Sequence, residues 1–249
     1  MILAEQSWTK IRDLLDGSRP VVAILPCGAT EAHGPHLPLN TDVIISEGMA
    51  RRAVPLLEAQ GIAALILPPV AYAPADCAAA FPGTLTVSAE AARQIILDIA
   101  SGLKQQGFAC LALANSHFDP ANVAMLRDTA EAARACGLPV AFPDFTRRKL
   151  AQLLTDEFIS GACHAGQYET SLVMADQPML VDENIRCMLA DNPLSLVTAF
   201  AHGATNFTEA GGPEAYFGSP AKATVKEGNE SYFIMANILA DAVIEGLRD

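Results

Sequence analysis

Residues 20–42 read PVVAILPCGATEAHGPHLPLNTD. The first seven form an aliphatic, β-branched run between Pro20 and Pro26. A run this short and this apolar predicts a strand buried on both faces, as in a parallel sheet covered by helices. The second half is polar and follows without a break, carrying Glu31, His33, His36 and Asp42. Ligands of open parallel sheets collect outside the carboxyl ends of the strands. The one stretch therefore sets an expectation for the fold and for the place of its site.

The same alternation continues along the chain. Residues 42–60 predict a helix, kinked at Pro55 and stopped at Gly61. A second strand follows at 63–68. Ser88 reads as the N-cap of a helix to Gln106, with Gly107 behind it. A third strand spans 108–114. Pro120 opens a helix that ends near Gly137, a weaker strand follows at 138–142, and a last helix runs from about Thr224 to Leu247. Residues 185–220, rich in Gly, Pro, Asn and Thr, read as irregular. Strands alternating with helices predict a layered α/β/α fold on a mainly parallel sheet. No linker, repeat or low-complexity segment interrupts it, so residues 1–249 read as a single domain.

Composition narrows the function. The net charge is 16 − 28 = −12. The only basic run is Arg147, Arg148 and Lys149, too short for a polyanion partner, so no nucleic acid is expected. The start, MILAEQSWTKIRDLL, lacks a basic segment followed by an apolar run, which argues against a signal peptide. No apolar run approaches the ~20 residues of a membrane helix. Six cysteines lie at wide, irregular spacings without a CxxC, the pattern of reduced thiols in a cytoplasmic protein.

The chemistry gathers at two loops. ANSHFDPAN, residues 114–122, leaves the third strand as residues 27–42 leave the first. Glu31, His33, His36, Asp42, His117 and Asp119 thus emerge on one sheet edge. Imidazole and carboxylate without thiolate suit Zn, Mn, Fe or Ni. The donors exceed the needs of one tetrahedral ion and suit a carboxylate-bridged pair, the arrangement of metal-assisted hydrolysis. His36 reads equally as a residue that orders the loop. Asp119 reads equally as the N-cap of the helix at Pro120. A third block, CHAGQYETS at 163–171, places His164 and Glu169 at the start of a helical run, either as general acid and base or as further ligands. A nucleotide-binding module is disfavoured, because CGATEAHG lacks the GxGxxG spacing and carries acidic groups.

GATEAHGPHLPLNTD resembles the signature of the creatininase (creatinine amidohydrolase) family, Glu-x-His-Gly-x-His-Leu-Pro-x-x-Thr-Asp. FPGT at 81–84, NSHFDPAN, HAGQYETS and FGSPAKATVKEG at 217–228 are further family-like blocks in the family's order. The resemblance implies a creatininase-like α/β fold, often hexameric, and two divalent ions, Zn or Mn foremost and Fe as an alternative. It implies metal ligation by Glu31, His33, Asp42 and His117, with Asp42 bridging, and by Asp119 where creatininase has glutamate. It implies proton transfer by His164 and a base or ligand role for Glu169. The implied activity is hydrolysis of a non-peptide amide C–N bond, cyclic or linear, in a small molecule by a cytoplasmic homo-oligomer. A non-catalytic metal-binding relative is the alternative. Creatinine itself is not the expected substrate. The family's creatininases close tryptophans over it, whereas the one tryptophan here is Trp8, and PADCAAAFPGT lacks the polar approach to FPGT.

Overall fold

The computed structural model describes residues 1–248. Four strands, β1 (Val21–Cys27), β2 (Ala63–Ile66), β3 (Cys110–Asn115) and β4 (Val140–Ala141), form one sheet. Ten α-helices accompany them among the described residues: α1 (Trp8–Leu15), α2 (Thr41–Glu58), α3 (Ala89–Gln106), α4 (Pro120–Ala135), α5 (Arg148–Ala151), α6 (Asp156–Ser160), α7 (Gln167–Asp176), α8 (Glu183–Arg186), α9 (Leu196–Ala201) and α10 (Val225–Gly246). The strand order is β2-β1-β3-β4 and every pairing is parallel. The predicted α/β layering is present, and β1 is buried along its whole length.

Alternation of side chains across the pleat sorts the helices into layers. Val22 and Ile24 of β1, with Cys110, Ala112 and Ala114 of β3, face a core shared with α2, α7 and α10. Val21, Ala23 and Leu25, with Leu111 and Leu113, face the opposite core, built with α3 and α4. Each large aliphatic buried here contributes roughly 1.5–3 kcal/mol. The order reverses between β1 and β3, since β2 lies on one side of β1 and β3 on the other. Their carboxyl ends therefore flank a crevice.

Local signals placed most boundaries. Ser88 Oγ accepts from the N–H of Ala91 at 3.2 Å, and Gly107 closes α3 with φ +90°. Thr224 Oγ1 caps α10 by accepting from Glu227 N–H at 3.1 Å. α2 runs through Pro55 to Glu58, so that proline does not end it. α1, absent from the expectation, is capped by Ser7 and lays Ile11, Leu14 and Leu15 against the second core. The irregular 185–220 region contains α9 and part of α8, and Asn192 pairs with Gly218 in an antiparallel bridge.

α10 crosses α7 at Gly228, where a Cβ would sit 1.9 Å from the carbonyl oxygen of Ser171. The obstacle is backbone, so the helices must separate to admit a methyl group. Gly228→Ala is expected to destabilise the fold by about 3 kcal/mol, roughly 6 to 12 °C in melting temperature. Calorimetric melting checks this; a melting point within 2 °C of the parent would mean the crossing is not tight.

Candidate metal centre

The crevice is shaped by close backbone approach. Gly28 follows β1, and a Cβ there would meet the backbone of Asp42 and Val43 at 2.8 and 2.7 Å. Its hydrogen allows the first turn of α2 to tuck beneath the strand end. Asp42 is thereby inserted under the loop, where Oδ2 accepts from Ala29 N–H at 3.2 Å. From β3, Ser116 Oγ donates to the Asp42 carbonyl at 2.6 Å. The side-chain amides of Asn115 and Asn122 hold the His117 carbonyl at 2.8 and 2.9 Å. NSHFDPAN is thus a scaffold around one histidine.

Three possible donor trios result among the described residues, and two of them share Asp42. In one, His33 Nε2 lies 3.2 Å from Asp42 Oδ1 and 3.5 Å from Glu169 Oε2. In the other, His117 Nδ1 lies 3.0 Å from Asp42 Oδ2 and 3.3 Å from Glu31 Oε1. Donors ~2.1 Å from a tetrahedral ion are ~3.4 Å from one another, so these separations fit. The far nitrogen of each ring meets a backbone carbonyl: His33 Nδ1 with Glu31 O at 3.2 Å, His117 Nε2 with Pro74 O at 2.7 Å. A carbonyl only accepts, so those nitrogens carry the protons and the lone pairs face inward, the tautomers a metal requires. His33 Nε2, His117 Nδ1 and Glu31 Oε2 are buried without a hydrogen-bond partner.

Charge makes the same point. Glu31, Asp42 and Glu169 are 2, 1 and 3% exposed. No Lys or Arg among the described residues forms an ion pair with them. Three buried carboxylates without cations are costly. Burial works against a charged His33, but Asp42, Glu169 and Glu31 outweigh it and lift its pKa to about 10. His117 rises likewise, against burial, through Glu31 and Asp42. Burial also raises Glu169, only partly offset by His33. In effect the pocket recruits protons where divalent cations would serve.

His164 differs from these. Its ring lies between His33 and Phe207, at 4.3 Å from each by centroid. Nε2 bonds the Ala32 carbonyl at 3.0 Å, and Nδ1 stands 3.9 Å from Glu31 Oε1. Burial, followed by the charge of His33, keeps it neutral, well below the usual histidine pKa. The next residue, Ala165, takes a left-handed φ of +50°, a strained conformation for a residue with a Cβ. It is held because Ala165 N–H donates to Glu169 Oε2 at 2.7 Å and Phe217 N–H to the His164 carbonyl at 2.7 Å. Half-buried Glu157 anchors the turn by accepting from the N–H groups of Tyr168 and Ser219, each at 2.7 Å.

Of the predicted site residues, Glu31, His33, Asp42, His117, His164 and Glu169 converge; Asp119 does not. Asp119 is the N-cap of α4: Oδ1 accepts from Ala121 N–H at 2.8 Å and Oδ2 from Cys77 N–H at 3.4 Å. Its side chain is engaged with backbone, as the cap reading expects, and it joins none of the donor groups although it lines the same cavity. Glu169, expected as acid, base or ligand, joins the donor group of His33 and Asp42. His36 lies outside the groups, with Nε2 2.8 Å from Thr170 Oγ1. Sequence reasoning missed Glu157 and Phe207, which nothing in their local pattern marks. A mainly apolar cavity of about 750 Å³ opens over the cluster.

A parallel α/β fold with a buried carboxylate–histidine cluster at its switch point defines a class of metal-site proteins. A family model described as creatininase, creatinine amidohydrolase, matches residues 4–243, and the chain belongs to the creatininase family. The mycofactocin precursor peptide peptidase of Mycolicibacterium smegmatis is 27% identical over 230 residues, covering 89% of this chain and 84% of that one. The creatinine amidohydrolase of Pseudomonas putida is 28% identical over 179 residues, covering 65% of this chain and 66% of that one. Both relatives are named as hydrolases. A solved manganese creatininase aligns with a TM-score of 0.77 at 24% identity, covering 100% of this chain and 99% of that chain, which confirms the fold. No helix among the described residues is long and apolar enough to cross a membrane.

Proposed function

We propose that the chain is a metal-dependent hydrolase of an amide C–N bond in a small molecule. The observation that carries this reading is the pair of donor groups sharing Asp42, with inward lone pairs on His33 and His117 and, among the described residues, no lysine or arginine paired with the carboxylates. Glu31, Asp42 and His117 would hold one divalent ion, and His33, Asp42 and Glu169 the other. Such a pair supplies Lewis-acid polarisation of the carbonyl and a water nucleophile at neutral pH. Zinc and manganese fit the donors, and solved creatininases are named for both.

The chain supplies the remaining chemistry. Phe207 and the apolar cavity wall exclude water and strengthen each electrostatic contact at the cluster. His164, its Nε2 proton committed to Ala32 O, presents the Nδ1 lone pair towards Glu31. It takes a proton there and returns it to the nitrogen that leaves, a general acid–base role. One relative is named for a precursor peptide, so the bond is read as an amide in general, without the narrower restriction to non-peptide bonds. A cytoplasmic homo-oligomer belongs to the same reading.

Elemental analysis of protein purified without chelator or added metal, beside hydrolysis assays on a panel of small amides and lactams, tests it. Close to two equivalents of Zn or Mn per chain and turnover of at least one amide are expected. A chain that binds no divalent metal after reconstitution would overturn the reading.

A further inference from the structure

The cavity is not uniformly apolar. Phe118, Phe158, Phe200 and Phe207 line its body, while Arg127 and Arg148 line it alongside them. Arg127 is engaged: Nε donates to Asp144 Oδ2 at 2.7 Å and Nη2 to Thr146 Oγ1 at 3.0 Å. Arg147, beside them in sequence, pairs with the same Asp144 at 3.1 Å. The Arg148 side chain makes no hydrogen bond or ion pair among the described residues, and the residue is exposed, which places it at the mouth. Glu31, Asp42 and Glu169 at the floor, with Asp119 in the same lining, carry four negative charges, which two divalent ions would match. Arg148 is then the cation of this cavity without a counter-charge, in a chain whose net charge is −12.

We infer that Arg148 selects the substrate, and that the substrate is an N-acyl derivative of an apolar amino acid with a free carboxylate. The inference rests on the amide-hydrolase reading. A guanidinium presents paired N–H donors in the geometry of a carboxylate, and the phenylalanines favour an aromatic or aliphatic side chain. The amide sits at the floor, the side chain against the phenylalanines and the carboxylate at Arg148. A cavity of about 750 Å³ accommodates such a molecule. Hydrolysis adds the water oxygen to the carbonyl carbon and breaks the C–N bond. The leaving nitrogen takes a proton, and the products are a carboxylate and a free amino acid.

The test compares N-acetylphenylalanine with N-acetylphenethylamine, which differ only in the carboxylate, on zinc-loaded full-length protein. For the parent protein kcat/KM is expected to be roughly 10- to 100-fold higher for the carboxylate. In Arg148→Ala that ratio collapses towards one, with the change carried by KM; Arg148→Lys restores part of it, since it keeps the charge and loses the fork. Calorimetric binding of both compounds to the same proteins is the second measurement. Hydrolysis with a ratio insensitive to Arg148 overturns the inference and leaves the hydrolase reading standing. Binding of the carboxylate that depends on Arg148, without hydrolysis of any amide, overturns the hydrolase reading and keeps Arg148 as the anion-recognition residue. Neither hydrolysis of these compounds nor binding that depends on Arg148 overturns the inference, while the hydrolase reading stands or falls by its metal content and amide panel.

Discussion

Asp42→Ala is expected to purify with less than a tenth of the metal of the parent protein and with no measurable amide hydrolysis. Of the donors, Asp42 alone belongs to both groups, with Oδ1 directed at His33 and Oδ2 at His117. Changing a residue that only supports a ligand costs ~10- to 100-fold in metal affinity or activity. Losing a ligand shared by two ions must cost more, because each position falls to two protein donors from its group. The side chain also accepts from Ala29 N–H, so alanine removes a loop contact as well as a ligand. Asp42→Asn separates these effects. Its amide oxygen still accepts that bond while the negative charge is gone, so metal loss in the asparagine variant is a ligand effect. Elemental analysis and circular dichroism on both variants decide the matter. Full metal occupancy in Asp42→Ala with intact secondary structure would remove Asp42 from the metal centre, and the assignment of the site with it.

The parts of the molecule readable in the sequence are those fixed by local chemistry. Ser88 and Gly107 bracket α3 because a cap hydroxyl and a left-handed glycine act on their own turn. β1 is readable because a strand covered on both faces has no polar position. Glu31, His33, Asp42 and His117 were readable because the two loops leave adjacent parallel strands, which brings them together whatever the details. What failed depended on reach or on distant packing. Asp119 had two readings open in sequence, and the fold turns its short side chain to the backbone at the N-cap of α4. Glu169 reads as base or ligand in sequence, and only the docking of α7 places its carboxylate 3.5 Å from His33 Nε2. α5, α6, α8 and α9 are four to six residues long. Helices that short are marginal in isolation and are held by tertiary contacts that no local pattern reports. Arg148 stands in the sequence as part of a short basic run; which of its three members lines the cavity over the cluster is a property of the fold.

His164→Ala is expected to part chemistry from metal binding. The variant keeps close to the parent's metal content, while kcat falls by ~10²- to 10⁴-fold, the contribution of a positioned proton carrier. Neither of the two groups that share Asp42 needs it, and its Nε2 is tied to a backbone carbonyl. Its Nδ1 does stand 3.9 Å from Glu31 Oε1, and Glu31, His33 and His164 together also form a possible donor trio. The metal measurement therefore decides between roles: loss of an ion in His164→Ala would make the residue a ligand. Removing the ring also leaves a gap between His33 and Phe207, so a fall in kcat alone could reflect repacking. Added imidazole separates the two. If His164 moves the proton, free imidazole diffusing into that gap restores part of kcat in His164→Ala and leaves the parent protein unchanged. If the ring only fills space, its pKa is immaterial, and imidazoles of different basicity restore activity equally or not at all. A rescue that follows imidazole basicity, with metal content constant, assigns the proton to Nδ1; undiminished turnover in the variant would place the acid on another residue.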